Sequence, residues 1–408
     1  MLKEITGGVC AAQGFKAAGI HVGVKTKATW KKDLALIVSD VDCSAAAVFT
    51  KNAVKAAPIH VDKKHLADGK ARAIIANSGN ANACAPNGEE NAIKMCQAAA
   101  KEIGCKPEDV LVSSTGVIGQ TLRIHVIEEG MPELYAALEH SVEASDAAAH
   151  AIMTTDLVKK EVAVETTIGG KTVRMGGIAK GSGMIHPNMG TMLCFLTTDC
   201  DISPEMIRAA LLETVDVSFN RISVDGDTST NDSCIVLANG LAGNEEIREK
   251  GPDYEAFLEA LKTLCIQISK ELAADGEGAK HLIICNVTGA KDEATAETVG
   301  KSVISSSLMK AAIFGADANW GRVLCAIGYS GADVDVTKIG VSFRSAAGTI
   351  LVCENGAGVP FSEEIAKQIL LEKEIEILVT LGEGSYGASA WGCDLTYDYV
   401  KINGDYRT

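Results

Sequence analysis

A glycine followed by a threonine, Gly190-Thr191, ends the run Lys180-Gly181-Ser182-Gly183-Met184-Ile185-His186-Pro187-Asn188-Met189 and opens an apolar stretch, Met192 to Thr198. That order of residue types permits an unusual reaction. The threonine hydroxyl can attack the unhindered carbonyl before it, and the backbone then breaks to leave Thr191 as a new N-terminus. A threonine with a free α-amine is a nucleophile that carries its own base. The same residues also describe a loop entering a buried strand, and so short a pattern does not separate the two.

Other chemistry-bearing patterns lack their context. Gly382-Glu383-Gly384-Ser385-Tyr386-Gly387 fits G-x-G-x-x-G, but it joins two strands where a dinucleotide site needs a strand followed by a helix. Asp225 to Asp232 looks calcium-like, yet its twelfth position is Val236 where an EF-hand needs Glu, so an Asx-rich turn is expected. The eight histidines never cluster at ligand spacing, and no Ser-His-Asp set is evident. His186, the one nearest the glycine-threonine junction, is expected to support the loop.

The elements that must position such a junction are strand-rich. Short apolar runs at Ile20–Val24, Leu34–Val38, Ala45–Thr50 and Arg72–Ala76 predict strands, the last ending in a polar loop, Asn77 to Asn82. A helix is expected over Glu89–Ile103, with Ile93, Cys96 and Ala100 on one face and Gly104 as its stop. Strand Val110–Val112 runs into Ser113-Ser114-Thr115-Gly116, and helices follow at Pro132–Leu138 and Asp146–Met153. Glu161–Thr167 and Lys171–Ile178 alternate around Gly169-Gly170, a two-residue hairpin signal. After strand Met192–Thr198, Ser203-Pro204 caps a helix to Val215. Helices at Tyr254–Ala274 and Glu293–Ala312 flank strand His281–Val287. The tail reads strands Ile339–Phe343 and Ile350–Glu354, helix Ser362–Leu371, then strands Glu374–Leu381 and Trp391–Val400. Adjacent strands and blocks of helices favour mixed sheets covered by helices over a doubly wound parallel sheet.

Composition narrows the function classes. Over 408 residues, 47% are hydrophobic and 22% charged, as in a soluble globular protein. Aromatics are only 4% and the net charge is −15, which disfavours nucleic acid, whose binding needs clustered cations and stacking surfaces. No run approaches the roughly 18 apolar residues of a membrane span, and the first residues lack a signal-peptide core. Thirteen dispersed cysteines without a Cys-x-x-Cys pair predict reduced thiols and a cytoplasmic protein.

The blocks around the junction carry a resemblance. Lys180 to Leu193 resembles the self-cleavage signature of the ornithine acetyltransferases, the glutamate N-acetyltransferase family of arginine biosynthesis. Asn77 to Ala83, Ser113 to Gly119, Met153 to Asp156, Ser223 to Asp232, Asp275 to Ala279, Gly315 to Arg322 and Ile402 to Thr408 resemble further blocks of that family, in its order. The resemblance spans essentially the whole chain. It implies an α/β (α+β) fold of mixed and antiparallel sheets in a sandwich covered by helices, DmpA/ornithine-acetyltransferase-like. It implies self-cleavage between Gly190 and Thr191 into an α chain, residues 1–190, and a β chain, residues 191–408, sharing one intertwined fold and pairing as an α2β2 heterotetramer.

By the same resemblance, Thr191 carries acetyl from N2-acetyl-L-ornithine to L-glutamate by a ping-pong route, with acetyl-CoA a possible second donor. Thr115 and Gly116 would form the oxyanion hole, and Thr154, Lys180, Thr191, Glu277, Asn403 and Thr408 would bind substrate. No metal and no cofactor are implied. The family often has Ala before the nucleophile; Gly190 should cut at least as readily. Two rivals stay open: an amidohydrolase or aminopeptidase of related fold, for which a serine nucleophile would be usual, and an uncleaved binding protein. Asn403 and Thr408 require the tail to fold into the site. Deleting Asn403 to Thr408 should therefore impair acetyl transfer while leaving self-cleavage intact, and normal turnover by the truncated protein would refute that placement.

Overall fold

The computed structural model describes residues 2–26, 30–186 and 192–405, which divide into two compact units. The first takes the described chain to Gly181, Met192 to Asn220, and Thr228 to Ile268. The second takes Ser182–His186, Arg221–Asp227 and the described chain from Ser269 on. Gly190, Thr191 and Thr408 lie outside the described residues.

The first unit begins β1 (Lys3–Ile5), β2 (Phe15–Ile20), β3 (Leu34–Phe49), α1 (Ala57–His65), β4 (Lys70–Asn80), α2 (Gly88–Ile103) and β5 (Val110–Val117). It continues with α3 (Ile124–Ala136), α4 (Val142–Ile152), β6 (Lys160–Ile168), β7 (Lys171–Lys180), β8 (Leu193–Thr198) and α5 (Pro204–Val217). After β9 (Ile222–Ser223), which belongs to the second unit, come β10 (Ser233–Ala238) and α6 (Pro252–Ala274), whose residues from Ser269 on belong to the second unit. The sheet runs β1-β6-β7-β8-β10-β3-β4-β5, with β2 also on β3. It is mixed: β8 with β10 and β4 with β5 are parallel, and the other pairs are antiparallel.

Period-two alternation sends side chains of β3 and β4 into two separate cores. Ala35, Ile37, Ile74 and Ala76 pack with Ala148 and Ile152 of α4. Leu34, Leu36, Ala73 and Ile75 pack with Met95 and Cys96 of α2 and Ile127 and Met131 of α3. Strands covered on both faces need apolar residues at successive positions, which is why they read as unbroken runs.

The second unit holds β11 (Leu282–Ala290), α7 (Glu293–Ser305), α8 (Ser307–Phe314), α9 (Trp320–Gly328), β12 (Gly340–Ser345) and β13 (Gly348–Glu354). Then come β14 (Ala357–Gly358), α10 (Glu363–Leu370), β15 (Glu374–Thr380), β16 (Tyr386–Cys393) and α11 (Tyr397–Gly404). Its sheet, β14-β13-β12-β15-β11-β16-β9, packs Ile283, Cys285 and Val287 against Val299 and Val303 of α7. Among the described residues, no helix is long and apolar enough to cross a membrane.

The mixed α/β class and most elements match the expectation, with instructive differences. Residues 21–25 are not strand, because the buried Asp33 carboxylate draws the backbone N–H groups of Val22, Gly23 and Lys25 around itself. The strand expected to end at Ala76 continues to Asn80, and the runs at 34–38 and 45–50 are one bulged strand, β3. On α2 the buried face is Ala92, Met95, Cys96, Ala99 and Ala100, and Ile93 is exposed. Pro132 lies inside α3, where burial of Ile127, Met131 and Leu134 outweighs the lost N–H. Glu293–Ala312 breaks at Ser306, whose hydroxyl caps α8. Beyond Cys393 the expected strand becomes α11.

One close contact locks β7 in place. A Cβ on Gly176 would lie 1.7 Å from the Gly8 carbonyl oxygen, a backbone atom that cannot step aside. Gly176→Ala should lower stability by about 1–3 kcal/mol or more. A thermal melt of this variant that matches wild type would show that the approach is not that close.

Candidate active site

The parallel pairing of β4 with β5 brings two of the polar blocks together. Asn77 stands opposite Ser114, Ser78 opposite Thr115 and Gly79 opposite Gly116, with the register breaking at Asn80. A break of this kind frees backbone groups from the ladder. Gly116 has φ +131°, and a Cβ there would meet the Gly79 carbonyl carbon at 2.4 Å, so only glycine fits. Ser114 Oγ donates to Asn77 Oδ1 at 2.7 Å, and Asn77 Nδ2 donates to the Asn80 carbonyl at 2.9 Å. Asn231, just before β10, ties these strand ends from the other side. Its Nδ2 donates to the carbonyls of Ala81 at 2.6 Å and Ser114 at 2.8 Å. Thr115 and Gly116 are left half-buried at the end of a rigid ladder.

A buried carboxylate organises the next group. Asp156 Oδ1 accepts from Lys160 Nζ at 2.8 Å and from the Gly181 N–H at 2.7 Å. Its Oδ2 accepts from the Thr154 N–H at 2.9 Å and lies 3.9 Å from Lys180 Nζ. Burial opposes ionisation of Asp156, but Lys180, Lys160 and these hydrogen bonds outweigh it and hold the carboxyl well below the usual range. Thr154, half-buried, and Lys180, buried at the end of β7, are thereby fixed to one anchor.

Thr191 itself is outside the described residues, but the chain after it is held tightly. Ser233 N–H donates to the Met192 carbonyl at 2.9 Å, and every residue of β8 and β10 is buried. Asp232, next to Ser233, is also buried, and its Oδ2 has no partner among the described residues. Burial pushes its carboxyl well above the usual range, against the Ser229 hydroxyl, the Lys180 charge and the Thr50 hydroxyl.

In the second unit the glycine approach meets Glu277. The Ser182 hydroxyl donates to the Asp275 carbonyl at 2.7 Å, and the Glu277 N–H donates to the Ser182 carbonyl at 2.9 Å. A Cβ on Gly183 would fall 2.4 Å from the Glu277 carboxyl carbon, so the glycine admits that side chain. Glu277 is buried and accepts from Asn403 Nδ2 of α11 at 2.7 Å. Asp225 takes the N–H groups of Met184 at 2.7 Å and Ile185 at 2.9 Å, and Tyr399 OH lies 3.3 Å from it. The calcium-like stretch is thus an Asx-rich turn. His186 Nδ1 lies 3.0 Å from Ser223 Oγ, and burial, with Lys301, lowers its pKa to about 4, so a neutral ring supports the loop.

Thus Thr115 with Gly116, and Thr154 with Lys180, are set by shared frameworks in the first unit, and Glu277 contacts Asn403 in the second. Asp156, Asn231, Asp232 and Tyr399 received no role from the sequence. Only the acid's place directly before an apolar strand could have marked Asp232. Among the described residues, no group of His, Cys, Asp and Glu side chains is arranged to hold a metal ion.

Comparison with known proteins places the chain in a family. The ArgJ family model matches residues 16–408. The arginine biosynthesis bifunctional protein ArgJ of Caldanaerobacter subterraneus subsp. tengcongensis is 49% identical over 408 residues, all of both chains. ArgJ 1 of Clostridium acetobutylicum is 49% identical over 395 residues, 97% of this chain and 96% of that one. A crystal structure of the arginine biosynthesis bifunctional protein argJ from Bacillus halodurans, 45% identical, covers 51% of this chain and 96% of that chain with a TM-score of 0.48. With a family match over nearly its whole length, the chain belongs to the ArgJ family.

Proposed function

We propose that this protein is a self-processing glutamate N-acetyltransferase of arginine biosynthesis that moves acetyl from N2-acetyl-L-ornithine to L-glutamate through Thr191. The observation that carries the reading is membership of the ArgJ family over residues 16–408, with Gly190-Thr191 in the sequence shortly before the buried strand β8. Thr191 Oγ first attacks the Gly190 carbonyl, the peptide nitrogen leaves as the new α-amine, and water releases the Gly190 carboxylate. The resulting chains, residues 1–190 and 191–408, stay associated, because strands of one sheet come from both and separation would expose the core; pairing of two such units would give the α2β2 assembly that the family resemblance implies.

In the transfer reaction the α-amine takes the Thr191 hydroxyl proton while Oγ attacks the acetyl carbonyl. Thr115 hydroxyl and Gly116 N–H stabilise the oxyanion, and the ornithine nitrogen leaves with the proton. The glutamate amine then attacks the acetyl-threonine ester and restores the hydroxyl. Thr154 and Lys180 suit an α-carboxylate, and Glu277 with Asn403 suits the ornithine ammonium; Thr408 completes the substrate set. Each need is a matter of charge and donor type. Bifunctional is also part of the matched relatives' names, which favours acetyl-CoA as a second acetyl donor for glutamate.

Several outcomes are expected. Purified protein should run on a denaturing gel as two fragments, and Thr191→Ala as one band of 42.6 kDa; a single band in active wild type would sink the reading. Thr115→Ala should lower kcat by about a hundredfold or more, as expected for one oxyanion donor, and a rate near that of wild type would remove Thr115 from the hole. Glu277→Gln should raise KM for acetylornithine far more than for glutamate. Assaying glutamate acetylation with acetyl-CoA alone tests the second activity, which is absent if no acetylglutamate forms.

A further inference from the structure

Lys25 has no part in the chemistry above, yet its side chain is built into the same part of the first unit. Asp33 fixes its backbone: the carboxylate Oδ2 accepts the Lys25 N–H at 2.9 Å, and the neighbouring N–H groups of Val22 and Gly23 bind the same group. The stem then runs past Gly79, where an added Cβ would fall 2.8 Å from Lys25 Cγ. Gly79 is the residue paired with Gly116. The tip ends at the substrate loop, with Nζ donating to the carbonyls of Lys32 and Met153, each at 2.8 Å. Met153 immediately precedes Thr154. Lys25 therefore spans the distance from the proposed oxyanion strand to the proposed carboxylate-binding loop.

Its charge is incompletely answered. An ammonium has three N–H donors, and two of them meet neutral carbonyls. Among the described residues no carboxylate oxygen lies within ion-pair distance of Nζ, although the group is half-buried. A cation withdrawn from water without an anionic partner is unfavourable and is usually paired. The groups that act on it are Asp33 just before β3, Lys31 near it in sequence, Lys180 of β7 and Asp156. Burial lowers its pKa to about 8; Asp33 opposes this, and Lys31 and Lys180 add to it. An arriving carboxylate would supply the missing counter-charge and an acceptor for the third N–H.

We propose that Lys25 Nζ binds a carboxylate of the amino-acid substrate, as a substrate-contacting residue additional to Thr154 and Lys180. The proposal rests on the acetyltransferase reading and deepens it. Both proposed substrates carry a carboxylate, and glutamate carries two, so a second cation beside Lys180 bears most on the acceptor. The charged form of Lys25 is the binding form. Because its pKa is lowered, that form is present below about pH 8 and is lost as pH rises through it, so kcat/KM for glutamate should fall there.

The experiment compares wild type, Lys25→Met and Lys25→Arg, with fragment formation on a denaturing gel as the check on folding. Lys25→Met should cleave normally and show a KM for glutamate about tenfold higher or more, the scale of one lost charged hydrogen bond, with kcat changed much less. Lys25→Arg should keep KM within a few-fold and lose the decline above pH 8, since a guanidinium stays charged. That second variant decides the matter if the methionine protein fails to fold. An unchanged KM in Lys25→Met, a loss confined to kcat, or an arginine variant that keeps the alkaline decline would each overturn the assignment. If wild type moves no acetyl from acetylornithine to glutamate, the acetyltransferase reading falls instead; an active wild type with an indifferent Lys25→Met removes Lys25 alone.

Discussion

A single buried carboxylate, Asp156, holds together the parts of the first unit on which substrate recognition would depend. Its side chain has no solvent exposure, and it joins the exit of α4, the start of β6 and the end of β7. A carboxylate in such a place is tolerated only when its lone pairs are taken up. Here two backbone N–H groups and the Lys160 ammonium do this, with Lys180 at longer range. Removing one partner from a buried pair typically destabilises by about 3–5 kcal/mol, so the arrangement resists rearrangement. Thr154 and Lys180 inherit their positions from it, and a site of fixed geometry avoids reorganisation during reaction.

The same device recurs wherever the chain leaves a ladder near the candidate site. Asp33 gathers residues 22–25, Asp225 gathers Met184 and Ile185, and Asn231 holds the carbonyls of Ala81 and Ser114. Buried loops carry backbone groups that need partners, and these Asx side chains provide them without regular structure. The result is irregular backbone with the rigidity of a strand.

This explains what could be read from the residues alone. The β6–β7 hairpin, β8, α5 and α6 were legible because apolar periodicity, the Gly169-Gly170 turn and the Ser203-Pro204 cap are local signals. Residues 21–25 and Asp394 to Val400 have the apolar or alternating look of strands, but distant partners decide them. Asp33 curls the first, and Asp394, which takes the N–H groups of Lys280 and His281, ends the second. Candidate site residues were legible only as members of blocks. Nothing within a few residues of Asp156 or Lys25 reveals that one is an anchor and the other lies along Gly79, since both facts belong to the folded arrangement.

What the fold adds after Gly190-Thr191 is restraint of the chain that follows. The chain emerges from that junction into β8, whose first residues are tied to β10 by the Met192 carbonyl and by the pairing of Leu193 with Ser233. A strand so tied gives the proposed nucleophile a fixed point of attachment in the chain, and the positioning of reacting groups can supply several kcal/mol of rate enhancement. The same restraint serves both proposed steps, because each is attack by one hydroxyl on one carbonyl. The proposed exchange would bring two different amino acids to a single nucleophile. Their common carboxylate end can meet cations of the first unit, Lys180 foremost, while their far ends carry opposite charge. In the proposed exchange glutamate brings a second carboxylate that ornithine lacks, and Lys25, whose ammonium meets only two neutral carbonyls among the described residues, is a further cation of the first unit suited to a substrate carboxylate.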